Sequence, residues 1–202
     1  MVGNPWVVGM VRAGATVAVF TRTGEKTFCT GMDLKRRFDF PNLNNVAHEY
    51  PHNGFGGMTN RTGESPIIIA CNGHAHGGGM EIALNSDVIF ASANANFRPL
   101  EALHSVSTLA GALSGGMVLF VDHRMMDLVL AGQTLAPKEA VEWELVKEVP
   151  QEKLLERAID YADEIVGSRL DSVMLVKPKE LGSAEPRWGA IYSTHRHTQL
   201  IV

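Results

Sequence analysis

Three consecutive glycines at residues 77–79 stand between a short apolar run and a helix-forming stretch. The run at residues 66–71 is almost wholly apolar and β-branched, which is typical of a strand buried on both faces. A helix is expected over residues 79–85, and residues 87–91 form another apolar run. Strand, helix and strand in this order predict a parallel pair joined by a crossover. The glycines therefore mark a strand-to-helix turn in an α/β fold.

This glycine turn has the chemistry of an anion or oxyanion site. Glycine lets another group approach the backbone closely, and the first N–H groups of a helix lack partners within the helix. The helix dipole also favours negative charge there. A simple tight turn explains the glycines equally well on their own. A dinucleotide site fits poorly, because Ile82 stands where that motif has a further glycine.

A second turn of the same kind follows the apolar run at residues 15–20. It ends at Gly31, before an expected helix start for which Asp33 suits the first turn. If the two apolar runs are parallel neighbours, the backbone N–H groups of the two turns should lie side by side. Cys29 and Cys71 lie beside the turns, and we expect them to be packing residues.

Composition bounds the class of protein. With 202 residues, 45% hydrophobic and 20% charged, the chain should form one globular domain. A net charge of −4 with scattered cations excludes nucleic acid as a partner, and two cysteines predict no disulfide. Residues 1–11 contain Pro5 and no basic lead-in, so neither a signal peptide nor a membrane span is predicted. We expect a soluble intracellular protein without a targeting signal or membrane partner.

The remaining segments give the organisation of the chain. Residues 40–65, rich in Asn, Gly, Pro and His, are expected to form a loop that borders the substrate site. Helices are predicted over residues 126–130, from Pro137 onward, and over residues 153–166.

Two stretches carry a family resemblance. Residues 28–34 resemble the Phe-Cys-Ala-Gly-Ala-Asp-Leu motif of the enoyl-CoA hydratase/isomerase (crotonase) family, and residues 66–84 resemble its Pro-Val-Ile-Ala-Ala-Val-Asn-Gly…Gly-Gly-Gly-x-Glu-Leu-Ala motif. The sequence at residues 54–57 and 109–113 is most similar to fungal members of this family. The resemblance implies an α/β fold, the crotonase-like ββα superhelix, with a helical C-terminal region. It divides the chain into an α/β core at residues 1–121, a helical part at 122–182 and an irregular tail at 183–202, and implies that family segments are missing at both ends.

The resemblance also implies a site. Its oxyanion hole is formed by the backbone N–H groups of Met32 and Gly78, and its catalytic residues are Glu81 and Glu101. The residues that bind substrate and CoA are Met32, Asp33, Leu34, Lys35, Gly77 and Gly78. The implied partner is an acyl-CoA thioester, no cofactor is needed beyond the CoA of the substrate, and a homotrimer or hexamer is expected. The family's role in fatty-acid β-oxidation implies the peroxisome or the mitochondrion as a compartment. A pathway to a specialised metabolite and a place in the cytoplasm stay open as alternatives.

Two glutamates favour a hydratase. A water between two carboxyl groups can be deprotonated as it attacks the β-carbon, while a proton reaches the α-carbon. An enoyl-CoA isomerase needs only one base and is the first alternative; an acyl-CoA binder with impaired catalysis is the second. Residues 107–112 depart from the family's Pro-Gly-Ala-Gly-Gly-Thr run, so the acyl group stays open.

Two histidine pairs, His74 with His76 and His195 with His197, have the alternate spacing that shares one face of a strand. No third or fourth ligand accompanies either pair at a recognisable spacing, so no metal site is predicted. His76 stands where the family is usually apolar, and we expect it to shape the pocket.

Overall fold

The computed structural model describes residues 17–31, 55–59, 65–100 and 122–167. Its larger sheet is parallel and has the order β1-β3-β5-β7. The strands are β1 (Ala18–Phe20), β3 (Ile67–Cys71), β5 (Val88–Ala91) and β7 (Lys147–Glu148). The first three coincide with the apolar runs that predicted buried strands.

A second parallel sheet has the order β2-β4-β6. Its strands are β2 (Thr27–Cys29), β4 (His74–His76) and β6 (Asn96–Arg98). The chain alternates between the sheets, since β1 leads to β2, β3 to β4 and β5 to β6. This alternation is the strand pair of the expected ββα repeat. Because the second sheet is parallel, the turns after β2 and β4 leave it at the same edge.

The helices agree with the periodicity of the sequence. They are α1 (Gly78–Leu84), α2 (Asp122–Ala131), α3 (Pro137–Glu142) and α4 (Leu154–Gly167), with 3-10 turns at Phe55–Gly57 and Gln151–Lys153. Pro137 occupies the first turn of α3, where its missing N–H costs no hydrogen bond. Among the described helices, none is long and apolar enough to cross a membrane.

The larger sheet is buried on both faces, as its apolar strands require. Val19, Ile68 and Phe90 point to α4, where Leu154 and Ala158 complete a core layer. The alternate residues of the same strands face the second sheet and helices α1, α2 and α3. Strand residues alternate between faces, so one continuous apolar run supplies both layers.

Residues 147–148 differ from expectation, because they lie in the stretch predicted to be helical. They form the edge strand β7, which pairs with Phe90 and Ala91 of β5. Val149 continues the pairing by donating its N–H to the carbonyl of Ala91 at 2.9 Å. The segment after α3 is thereby hydrogen-bonded to the edge of the larger sheet. The tail at 183–202 lies outside the described residues.

Candidate active site

The two glycine turns meet, as the sequence predicts, but they follow β2 and β4 of the second sheet and not the apolar runs directly. The two strands pair in parallel, with Cys29 in register with Ala75, so both turns leave the sheet at the same edge. Gly31 has φ +88°, and a β-carbon placed on it would stand 3.0 Å from the nitrogen of Gly78 and 3.4 Å from the carbonyl oxygen of His76. The backbone of Gly31 is therefore in close contact with the start of α1.

The glycine triplet has a different constraint at each position. Gly77 adopts φ 51°, ψ −126° and donates its N–H to the carbonyl of Arg98 at 2.8 Å. Gly79 lies so close to the Cys29 backbone that an added β-carbon would overlap the Cys29 carbonyl oxygen. Within the described residues, no acceptor takes the N–H of Gly78. That N–H group sits at the first position of α1, beside Gly31, where it can bind an oxygen.

The glycine-rich loop before β3 places an aromatic ring against the first residue of α1. A β-carbon on Gly78 would stand 2.6 Å from Cδ1 of Phe55, so the ring rests on the Gly78 backbone. Thr59 holds the turn by accepting the N–H of Phe55 on its Oγ1 at 2.8 Å. This part of the loop therefore lies against the start of α1. Sequence reasoning did not single out Phe55, although the neighbouring glycines marked the segment.

Glu81 lies in the first turn of α1 and is only 3% exposed. Its backbone N–H donates to the carbonyl of Gly77 at 3.1 Å, and its own carbonyl accepts from Asn85 N and Nδ2 at 3.2 and 2.8 Å. The glutamate is thus fixed one helical turn from the Gly78 N–H. A carboxyl group that is buried in the first turn of a helix is a candidate for acid/base chemistry.

Both cysteines are buried thiols that support neighbouring turns. Cys29 Sγ accepts the N–H of Gly31 at 3.3 Å, and Cys71 Sγ donates to the carbonyl of Gly73 at 3.2 Å. Burial raises the pKa of Cys29, against the opposing hydrogen bond from Gly31 and the charge of Arg22. Burial also raises the pKa of Cys71, to about 12. Both side chains are therefore neutral at pH 7 and are poor nucleophiles.

His74 and His76 share one face of β4, as their spacing predicts, and their rings stack with centroids 5.1 Å apart. Asn96 lies across from them on β6 and contacts both rings. Burial lowers the pKa of His76, and the charges of His74 and Arg98 act in the same direction, while the Asn96 hydrogen bond opposes them. In the described part of the chain, no three His, Cys, Asp or Glu residues are grouped to hold a metal ion.

Some predicted site residues lie outside the described residues, namely Met32, Asp33, Leu34, Lys35 and Glu101. The histidine pair His195 and His197, for which no site was predicted, lies outside them as well. Neighbours in sequence of Met32 and Glu101 are described. Gly31 directly precedes Met32 and touches the start of α1. Arg98 precedes Glu101 by three residues, and its carbonyl is hydrogen-bonded to Gly77. Of the predicted site, the structure thus brings together Gly77, Gly78 and Glu81.

Comparison with known proteins points in one direction. The sequence family described as enoyl-CoA hydratase/isomerase matches residues 11–185. Mevalonyl-coenzyme A hydratase of Beauveria bassiana is 35% identical over 178 residues, which are 84% of this chain and 63% of that protein. (E)-benzylidenesuccinyl-CoA hydratase of Thauera aromatica is 37% identical over 183 residues, which are 88% of this chain and 70% of that protein.

Solved structures agree with the fold. A carnitinyl-CoA dehydratase from Mycobacterium avium superimposes with a TM-score of 0.74 at 31% identity, over 86% of this chain and 70% of that one. An enoyl-CoA hydratase from Bacillus anthracis gives a TM-score of 0.70 at 31% identity, over 79% and 62%. These similarities confirm the expected crotonase-like fold. The chain spans 63% and 58% of the lengths of the mevalonyl-coenzyme A hydratases of B. bassiana and Aspergillus fumigatus.

Proposed function

The chain belongs to the enoyl-CoA hydratase/isomerase family, and from this we propose that it adds water to, or removes water from, a 2-enoyl-CoA thioester. One observation carries the proposal. The Gly78 N–H, beside Gly31 and without an acceptor among the described residues, stands one helical turn before the buried Glu81. Such a backbone donor can stabilise an oxyanion, and a buried carboxyl group on the same helical turn is a candidate acid or base.

The backbone donors stabilise developing charge. As water attacks the β-carbon of the enoyl group, electrons move from the double bond to the thioester oxygen and form an enolate. Gly78 N–H would donate to this oxygen, and the resemblance assigns the second donor to Met32, which follows Gly31. Fixed donors stabilise charge that appears only in the transition state, and loss of one such donor typically costs about a hundredfold to a thousandfold in kcat.

Glu81 and Glu101 would carry the protons. One glutamate is ionised and takes a proton from the attacking water as the water oxygen bonds to the β-carbon. The other glutamate is protonated and delivers its proton to the α-carbon. The net reaction adds one water. The two glutamates exchange protonation states, so the pair holds one proton before and after the reaction. Each acid or base contributes about a hundredfold to ten-thousandfold. The family pattern also leads us to propose a homotrimer or hexamer, with no cofactor beyond the CoA of the substrate.

The acyl group is the open part of the substrate. The relatives are named for mevalonyl-CoA, benzylidenesuccinyl-CoA and carnitinyl-CoA, which differ widely in size and polarity. Phe55, which rests on Gly78, would lie beside the thioester end of any acyl chain. A panel of crotonyl-CoA, a longer 2-enoyl-CoA, mevalonyl-CoA and carnitinyl-CoA covers this range.

The test is turnover by purified protein, followed through the absorbance of the conjugated enoyl thioester. Absorbance should fall with 2-enoyl-CoA substrates and rise with 3-hydroxyacyl substrates. Glu81→Gln should lower kcat by about two to four orders of magnitude, the usual contribution of an acid or base. Glu142→Gln, at an exposed position on α3, is the matched control and should keep wild-type turnover.

Other outcomes select the alternatives. Absorbance created from a 3-enoyl-CoA, with no hydration of 2-enoyl-CoA, would identify an isomerase. Calorimetric binding of acyl-CoA without any turnover would identify an acyl-CoA binder. Equal turnover in Glu81→Gln, Glu101→Gln and wild type would remove both glutamates from the mechanism and overturn the proposal.

A further inference from the structure

One face of the second sheet carries a polar cluster that the proposed reaction does not use. His74 of β4 is in register with Asn96 of β6, and His76 is in register with Arg98. The residues between them, Ala75 and Phe97, are fully buried on the opposite face. We call His74, His76 and Asn96 the histidine–asparagine cluster. It lies immediately before the glycine triplet.

The Asn96 amide joins the two histidines. Its Oδ1 is 2.6 Å from Nε2 of His76, and its Nδ2 is 2.8 Å from Nδ1 of His74. An amide oxygen only accepts and an amide nitrogen only donates. His76 must therefore carry a hydrogen on Nε2, and His74 must lack one on Nδ1. The orientation of one amide thus fixes the tautomers of both rings.

The cluster is attached to the candidate oxyanion donor. His76 is two residues from Gly78, and the intervening Gly77 donates its N–H to the carbonyl of Arg98 on β6. The side-chain link through Asn96 and this backbone bond hold β4 against β6 at successive positions. Three glycines in a row have unusual backbone freedom, so the residues that enter the triplet decide where its N–H groups point.

We propose that Asn96 is a positioning residue for the Gly78 N–H, and that it acts by holding His76 of β4 to β6 while at least one histidine of the cluster is neutral. This proposal rests on the proposed function only for the use of that N–H in catalysis. Asn96 touches no reacting atom. Its role is to limit the movement of the strand end that leads into Gly77.

Protonation of the two histidines restricts their hydrogen bonds to Asn96. A proton added to His74 Nδ1 meets the donor end of the amide, so Asn96 must turn over and His76 must move its hydrogen to Nδ1. With both rings charged, no orientation of the amide satisfies both contacts. Among the described residues, the charges acting on His76 are the positive ones of His74 and Arg98, and the other cation near these strands is Lys26. No acidic side chain of these strands offsets them.

The first experiment reads the cluster directly and needs no activity. Nitrogen NMR of 15N-histidine-labelled protein at pH 8, with rings assigned through His74→Gln and His76→Gln, should show both rings as the Nε2–H tautomer. Either ring as the Nδ1–H tautomer would overturn the proposed amide orientation. In Asn96→Leu both rings should lose this fixed preference.

The second experiment reads the positioning. Amide exchange of Gly77, followed by NMR on 15N-glycine-labelled protein, should be about tenfold faster in Asn96→Leu, the equivalent of roughly one net hydrogen bond. Asn94→Leu, at an exposed position two residues earlier, is the matched control and should match wild type. Unchanged Gly77 exchange in Asn96→Leu would overturn the positioning role, whether or not the protein turns over a CoA thioester.

Kinetics then separate positioning from binding. Asn96→Leu should lower kcat by about tenfold with KM within about twofold, because the displaced donor matters most in the transition state. Asn96→Asp accepts hydrogens from both rings and tolerates two charged histidines. Its loss of kcat at acid pH should therefore begin at lower pH than in wild type. If wild type hydrates no thioester, the proposed function fails, while Gly77 exchange still decides the positioning claim.

Discussion

Gly31 and Gly78, which lie 47 positions apart in the sequence, meet so closely that a β-carbon on the first would stand 3.0 Å from the nitrogen of the second. This contact joins the turn after β2 to the start of α1. Because the candidate oxyanion donors are backbone groups, the contact between these two turns bears directly on their relative position. Glycine is required there both for its φ of +88° and for the close approach.

Gly31→Ala should therefore lower kcat by about tenfold or more, towards the hundredfold that loss of one oxyanion-hole donor costs. Gly24→Ala is the control, since Gly24 has φ +95° with nothing within 4 Å of an added β-carbon. Both substitutions should cost about 1 kcal/mol of stability from backbone strain. Steady-state kinetics should separate them, and an equal kcat in the two variants would show that the contact is unimportant.

Gly79→Ala should destabilise the fold, although alanine normally favours a helix. The added carbon would stand 2.7 Å from Cβ of Cys29 and overlap its carbonyl oxygen, and backbone cannot give way cheaply. A loss of about 1 to 3 kcal/mol is expected from such overpacking. Gly167→Ala, in open space at the end of α4, should leave stability unchanged or raise it by up to about 1 kcal/mol. Urea unfolding of both variants checks the difference.

The contact between Phe55 and Gly78 predicts energetic coupling. Gly78→Ala pushes a methyl group into the ring, and Phe55→Ala removes the ring, so the double variant should be more stable than the sum of the single losses. A coupling of about 1 kcal/mol or more is expected for residues in contact. Gly73→Ala is the control, because its added carbon meets backbone of Lys26 and Thr27 instead. Coupling of Phe55→Ala with Gly73→Ala should be near zero.

Thiol chemistry should report the burial of Cys29 and Cys71, the two cysteines of the chain. With the pKa of Cys71 raised to about 12, roughly one thiol in ten thousand is a thiolate at pH 8, and only the thiolate reacts. A chromogenic disulfide reagent should therefore modify neither cysteine in the native protein, and both in guanidinium chloride. Rapid reaction of one thiol before unfolding would contradict the burial of that strand end.

His76 predicts a dependence of stability on pH. Burial lowers its pKa in the folded protein below the ordinary 6.5, so the unfolded chain takes up a proton at a higher pH than the folded one. The contribution of neutral His76 is therefore fully present above pH 6.5 and is lost as the pH falls below it. Urea midpoints measured between pH 8 and pH 5 should show this decline in wild type. His76→Leu and His76→Gln should both remove the His76 part of the slope, and a full slope in both would reject this assignment.

Much of the larger sheet was predictable because its strands carry a local signal. The runs ending at Phe20, Cys71 and Ala91 are continuous, apolar and β-branched, and each ends at turn residues. The extent of helix α4 was predictable from its helical spacing, which placed Leu155, Ala158 and Ala162 on one face. The buried residues are Leu154, Ala158 and Ala162, whereas Leu155 is 42% exposed. The apolar residues of these elements recur at the spacing of a strand or a helix, whatever partner buries them. The local sequence pattern is therefore enough to identify each element.

The second sheet was not predictable from the same rules. Strands β2, β4 and β6 are three residues long, so none of them contains a long apolar run. In β4 and β6 a single buried residue stands between polar neighbours. Strand β7 has two residues, both exposed, and exists because Phe90 and Ala91 offer it a partner. Such strands owe their conformation to pairing with distant segments, and no window of sequence contains that partner.

For the site, the sequence by itself determined which residues could act: the glycine triplet, Glu81 and the two turns that had to share an edge. The tertiary structure decided how they are held. It placed Gly31 against Gly78, rested Phe55 on the same glycine, and joined His76 to Asn96. The physical reason is that strand and helix patterns are local, whereas contacts across parallel strands join residues that only the folded backbone brings within hydrogen-bonding distance.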